Sequence, residues 1–296
     1  MHAAPCTLPL VPLLVNADDF GLTPGVNRSI AELAQARALS SATLMATGAA
    51  FDDAVALARS TPTLEVGCHV LLVDGTPVLP PSRIPTLCPD GRSFRPTLIA
   101  FVRDLFTFRI RAEEITAEAS AQILRLQNAG LRVSHIDTHK HTHLFSGILR
   151  PLLRAAQDCG VPAIRNPFEP DWALRATLQS NSAVSRLRRL AVVALRAEHR
   201  AFLRRVRASG LKTPAGTIGV LATGTTGPDA VRSTLRALIA AQPPDPGATW
   251  ELVCHPGYPD AALDQVRTRL RASRAHEHDA LLELLPSIPL ACWRDL

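Results

Sequence analysis

The chain has 296 residues, 47% hydrophobic and 20% charged, with a net charge of +6. That is enough chain for one α/β barrel or for one to two smaller domains, and the balance is that of a globular protein. The positive excess comes without aromatic residues interleaved in the manner of a base-stacking surface and without a nucleic-acid motif, so nucleic acid is not an expected partner.

The six cysteines are scattered, with no CxxC pair. Several sit in apolar runs, where Cys acts as a small hydrophobe. The pattern suits a reducing cytoplasm better than a disulfide framework. No basic n-region opens the chain, so a signal peptide is not expected. The apolar run Leu190 to Leu195 is far short of the roughly 20 residues a membrane span requires. A cytoplasmic location follows as an expectation.

The first element is an apolar strand (Leu10, Val11, Leu13, Leu14) that ends in a turn at Asn16-Ala17-Asp18-Asp19-Phe20-Gly21. A helix follows, with Thr23 as N-cap, Pro24 at its first position and Val26, Ile30, Leu33 and Ala34 on one face. Residues 41–47 read as a strand and 52–59 as a short helix. The next strand closes Leu64-Glu65-Val66-Gly67-Cys68-His69. Residues 74–96 carry eight Pro and Gly residues, the composition of a functional rim loop.

Residues 98–110 read as a short helix on that rim. Ile115, Ala119, Ile123 and Leu126 mark a longer helix over 112–129, closed by Gly130. A strand ends near Asp137, a helix spans 147–159, and 163–165 is a further short strand. Residues 172–210 form an Arg-rich helical insertion. Residues 217–222 are a strand and 228–241 a helix. A turn with Pro243, Pro244 and Pro246 leads to the strand ending at His255, and 289–293 reads as a last strand. Strand and helix alternate about seven times, which favours a single irregular parallel (β/α) barrel.

The chemistry gathers at strand ends. His69, His139 and His255 each close a short apolar segment, as do the adjacent carboxylates Asp18 and Asp19. In parallel α/β folds that edge carries active sites. Neighbouring residues of an extended chain point in different directions, so one Asp can bind a metal while the other works on a water beside it. Two His and one Asp form a usual ligand set for a catalytic metal. One carboxylate and one His then remain as base and acid.

The run His135-Ile136-Asp137-Thr138-His139-Lys140-His141-Thr142-His143 places five polar residues on one side if it stays extended. Five side chains cannot share one ion. His139 is read as the ligand, Asp137 as the partner that orients a neighbouring imidazole and as a candidate substrate contact, and His143 as a substrate contact. Cys68 and Cys254 alternate away from their neighbouring His and lack a cysteine-hydrolase context. No phosphate-binding loop is present.

Four motifs occur together and in order: Asn16 to Gly21, Gly67-Cys68-His69, His135 to His143, and Cys254-His255-Pro256-Gly257. In this combination the chain resembles the YdjC-like carbohydrate deacetylases. The resemblance implies a NodB-like distorted barrel, one divalent metal ion (magnesium or zinc), and hydrolysis of the N-acetyl group of an amino sugar. By position it implies that Asp19, His69 and His139 hold the metal, Asp18 is the base and His255 the acid. Residues 75–85 and 165–170 resemble the hopanoid-associated branch more than the chitooligosaccharide branch, and Arg165 is taken as a further substrate contact.

The expectation is one domain over 1–296, acting on an N-acetylated oligosaccharide or glycolipid. The alternatives are a non-catalytic sugar- or metal-binding protein on the same barrel, and a metal-dependent phosphoesterase. The phosphoesterase would call for extra carboxylates at other strand ends. The basic stretch 186–207 reads as a surface helix. A homodimer contact and an interfacial membrane contact are the other readings of it.

Overall fold

A computed structural model describes residues 13–180, 196–225, 228–241, 245, 247–286 and 288–296. The expected beginning of the first strand, the Arg-rich segment 181–195 and Pro243, Pro244 and Pro246 lie outside the described residues.

Six parallel strands form one curled sheet in the order β4-β3-β2-β1-β6-β5. They are β1 (Leu13–Phe20), β2 (Ser41–Leu44), β3 (Glu65–Val70), β4 (Val133–Thr138), β5 (Thr217–Ile218) and β6 (Trp250–Cys254). Helices α1 (Pro24–Gln35), α2 (Phe51–Ser60), α3 (Leu98–Phe106), α4 (Ala112–Asn128) and α5 (Ser146–Asp158) belong to the first half of the chain. The second half holds α6 (Asp171–Ser180), α7 (His199–Ser209), α8 (Pro228–Ala240), α9 (Ala261–Gln265) and α10 (Ser273–Leu284). All eight residues of β1 are buried, as expected of a parallel strand covered on both faces.

Local signals account for the helix boundaries. Thr23 caps α1 by accepting from the Val26 amide, with Pro24 at the start. On α4 the predicted stripe Ile115, Ala119, Ile123 and Leu126 is buried. Glu114 and Glu118 of the same helix are also buried, and they hold the rim loop. Glu118 accepts from the amides of Val78 and Leu79, and Glu114 from those of Thr86 and Leu87. The rim is thus tied down along its length.

A complete barrel is not present among the described residues; the regular sheet is open. The predicted strand at 163–165 contributes only isolated bridges, Ile136 to Ile164 and Ala163 to Lys212. Pro167 and Pro170 follow and have no amide hydrogen for a ladder. The segment still touches both sheet edges: the Arg165 amide donates to the Ile136 carbonyl, and the Thr217 amide to the Phe168 carbonyl. The strand expected over 217–222 shrinks to two residues. Gly219 turns out at φ +92°, and the amides of Gly219 and Leu221 donate to the Glu169 carboxylate instead of to a strand. Residues 289–293 give one bridge, Leu13 to Leu290, before a 3-10 turn at Trp293–Asp295.

The basic stretch is described only from Arg196 onward. There α7 buries Phe202 and Val206, as a surface helix does. No described helix is long and apolar enough to cross a membrane.

Candidate active site

β1 does not stop before the paired carboxylates. Asp18 and Asp19 lie within it, where the pairing with β2 slips between Ala17 and Phe20. Asp19 adopts φ +65°, a left-handed conformation that is costly for a residue with a Cβ. The irregularity re-aims the two side chains, as bulges beside active sites do. Asp18 and Asp19 then both line a cleft of about 800 Å³, together with His69, His139, His141 and His255.

Asp19, His69 and His139 converge. Asp19 Oδ1 lies 3.6 Å from His69 Nε2 and 3.6 Å from His139 Nδ1, and the two ring nitrogens are 3.3 Å apart. Donors about 2.0–2.2 Å from one ion, at tetrahedral or octahedral angles, stand about 2.8–3.6 Å from each other. The three atoms therefore fit a shared cation. His69 Nδ1 is 2.8 Å from Asp137 Oδ1, which leaves the lone pair of Nε2 facing the other two donors. Arg274 donates to Asp19 Oδ2 at 2.5 Å, so Oδ1 is the oxygen left for a ligand role. Asp18, His69 and Asp137 also lie within ion-sharing range. In that group, however, Arg165 already pairs with both carboxylates.

Asp18 sits beside this triad in a fixed orientation. Arg165 grips it with two hydrogen bonds, of 2.9 and 2.7 Å, and Asn16 Nδ2 donates to Oδ1 at 3.0 Å. Its Oδ2 faces His255 Nε2 at 3.8 Å. Arg165 also pairs with Asp137 and, at 2.7 Å from Nε, with Glu251. Thr43 Oγ1 lies 3.3 Å from Asp18, His69 and Asp137 alike and joins the two halves of the network.

Four buried carboxylates (Asp18, Asp19, Asp137, Glu251) thus face two buried guanidinium groups (Arg165, Arg274). The negative excess is the kind a divalent cation or protons would offset. The titration of its members is split by their neighbours. Burial pushes Asp18 up, but Arg165, His69 and His255 together outweigh it and hold the carboxyl well below the usual range. Asp19 is likewise held low against burial, by Arg274 and His139. Burial pulls His69 down, yet Asp137, Asp18 and Asp19 raise it to about 9. Glu251 is pushed up to about 7 by burial, against the pull of Arg165. Burial lowers His141 to about 3, so its ring is neutral at neutral pH.

The expected site residues separate into two groups. Asp18, Asp19, His69, His139 and His255 meet at the cleft. Asp137, His143 and Arg165, expected at the substrate, are fully buried and are not among the residues described as lining it. Asp137 and Arg165 support the first group from behind. His143 turns inward, with its Nδ1 2.6 Å from Thr138 Oγ1.

The extended reading of 135–143 fails after Thr138. The chain there enters a 3-10 turn interrupted at Lys140 and His141, both left-handed. Sequence reasoning missed Thr43, Glu251, Arg274 and His141. Glu251 carried a signal, as a charge inside the apolar run Trp250 to Cys254, and His141 stood in the histidine tract without an assigned role.

The family model described as YdjC-like protein matches residues 12–284. A protein of Brevibacillus brevis named carbohydrate deacetylase is 40% identical over 159 residues, 53% of this chain and 59% of that protein. One of Listeria monocytogenes, also named carbohydrate deacetylase, is 35% identical over 161 residues, 54% of this chain and 63% of that protein. The chain therefore matches about three-fifths of the length of these relatives. Among solved structures, an Enterococcus faecalis protein titled a putative cellobiose-phosphate cleavage protein superposes with a TM-score of 0.72. It has 24% identity, over 96% of this chain and 98% of that one, and the likeness speaks to fold alone.

Proposed function

Since this chain belongs to the YdjC-like protein family, we propose that it is a metal-dependent amidase that removes the N-acetyl group from an N-acetylated amino sugar. The observation that carries the reading is the convergence of Asp19, His69 and His139, with donors 3.3–3.6 Å apart, beside the facing pair Asp18 and His255. A divalent ion, magnesium or zinc, held by those three residues would supply Lewis-acid polarisation of the acyl oxygen and acidify a water.

The remaining work falls to the chain's own groups. Arg165, Asn16 and Thr43 hold Asp18 so that Oδ2 faces the open cleft. Held well below the usual carboxylate range, Asp18 is a weak base. It stays ionised at neutral pH and can accept a proton only from a water acidified beside it. His255, across from it, gives a proton from Nε2 to the nitrogen as the C–N bond breaks, because a sugar amine leaves poorly as an anion. Water adds to the acyl carbon, and acetate and the free amine depart. No covalent acyl-enzyme is needed.

The names of the relatives favour a carbohydrate amide over a phosphoester. The substrate is read as an oligosaccharide or a glycolipid. The free thiols of Cys68, Cys88, Cys159, Cys254 and Cys292 suit a cytoplasmic setting.

Acetate release from a panel of N-acetylglucosamine monomers and oligomers, with magnesium or zinc added, tests the proposal. Acetate that appears with metal and disappears with chelator supports it. Phosphate release from a generic ester, with no acetate from any member of the panel, would overturn it.

A further inference from the structure

We propose that His141 is the residue of the histidine tract that binds the sugar, and that the left-handed turn at Lys140 and His141 exists to deliver it. The inference rests on the deacetylase reading for the identity of the ligand and on the geometry of the turn for the residue.

β4 ends at Thr138, and alternation ends with it. Lys140 stands at φ 57°, ψ 26° and His141 at φ 51°, ψ 37°. Two successive residues with a Cβ in that region, and no glycine between them, make a costly local choice. Such strain persists where the surroundings impose it, and it clusters at ligand sites.

The turn sends four consecutive side chains to different places. His139 joins Asp19 and His69. Lys140 reaches the rim, with Nζ 2.6 Å from Asp74 Oδ2. His141 enters the wall of the cleft, and Thr142 is buried. His143, two residues on, is tied back to Thr138 by its ring Nδ1 and by its own amide, at 2.6 and 3.1 Å. Had the strand continued, His139, His141 and His143 would share one direction. The turn separates them, and only His139 and His141 keep access to the cleft.

His141 is unemployed in the network behind the site. Its Nδ1 is buried without a hydrogen-bond partner, as are His135 Nε2 and His143 Nε2, but of these three rings only that of His141 lines the cleft. Buried polar atoms without partners are rare and call for an explanation. An imidazole offers one donor and one acceptor, which matches the hydroxyl and amide groups of an N-acetylated sugar. A ligand filling the cleft would meet this ring as well as the three converging donors, since all four residues line it.

The strain makes the inference testable against a structural role. Glycine and asparagine tolerate the left-handed region better than histidine. His141→Gly and His141→Asn should therefore raise the thermal midpoint of the full-length protein and leave its affinity for zinc or magnesium unchanged. In the same variants, KM for an N-acetylglucosamine oligomer should rise about tenfold or more, the scale of a lost substrate hydrogen bond.

Calorimetric binding of the same oligomer to the metal-loaded protein carrying Asp18→Asn, with and without His141→Asn, reads affinity without turnover. A wild-type protein that releases no acetate would overturn the deacetylase reading, while the binding comparison still decides the role of His141. Variants with unchanged oligomer affinity, or with a lowered midpoint and unchanged KM, would overturn this inference.

Discussion

The His69 ring is oriented by Asp137, whose Oδ1 lies 2.8 Å from Nδ1, and this contact turns Nε2 toward Asp19 and His139. The carboxylate also raises the basicity of the ring and so its strength as a ligand. Asp137→Asn keeps an acceptor but loses the charge. It should weaken zinc binding by about 10–100-fold, the usual cost of removing such a partner, as read by competition with a chromogenic chelator. Unchanged affinity would show that His69 is held by other contacts.

The motif glycine beside His69 has a steric reason. A Cβ on Gly67 would lie 2.5–2.7 Å from three atoms of the His135 ring. That ring cannot easily yield, because it stacks on Trp293 at 3.8 Å with 9° between the planes. Overpacking of this kind costs about 1–3 kcal/mol. Gly67→Ala should lower the urea midpoint accordingly, and a midpoint equal to wild type would show that His135 moves freely.

The rim loop carries a pH signature of its own. Hydrogen bonds from Arg103 and then Arg95 hold Asp104 down at about 2, against an ordinary 3.8. Arg95 also donates to the carbonyls of Thr86 and Leu87, so this pair fastens the rim to α3. A depressed carboxylate stabilises the fold above its unfolded value and loses that contribution as pH falls through its folded value. Asp104→Asn should therefore lower the urea midpoint at pH 7, and the gap to wild type should close between about pH 4 and pH 2. A gap of constant size over that range would contradict the assignment.

Asp18 and His255 belong to the chemistry in this account, and the fold can spare them. Asp18→Asn leaves Arg165 paired with Asp137 and Glu251, and His255 makes its contact with Glu277 through its backbone amide. Each of Asp18→Asn and His255→Ala should lower turnover by about 10²–10⁴, the range for general acid–base groups, with metal content and far-UV spectrum unchanged. Wild-type turnover in either variant would remove its assigned role.

Much of this site could be read from residue order. Short apolar segments ending in His69 and His255, and a carboxylate pair at the end of the first strand, locate one edge of a parallel sheet. Alternation told Cys68 from His69 correctly, since Cys68 is buried in the core. What the sequence hid was where alternation breaks. The slip at Asp18 and Asp19 and the left-handed turn at Lys140 and His141 involve no glycine, so no local signal marks them. For that reason His143 was expected at the substrate and His141 was not.

Thr43 and Arg274 act through contacts that span large separations in the chain, and such contacts leave no trace in spacing. The open sheet has a similar origin. The segment after Ala163 was apolar enough to suggest a strand, but its prolines and the capture of the Gly219 and Leu221 amides by Glu169 prevent a regular ladder.

The central claim is that Asp19, His69 and His139 share one ion, and diffraction at the absorption edge of zinc from a zinc-soaked crystal tests it most directly. The account predicts one anomalous peak with Asp19 Oδ1, His69 Nε2 and His139 Nδ1 each about 2.0–2.2 Å away. A peak at Asp18, His69 and Asp137 instead, or His69 and Asp19 without any peak between them at saturating zinc, would contradict it.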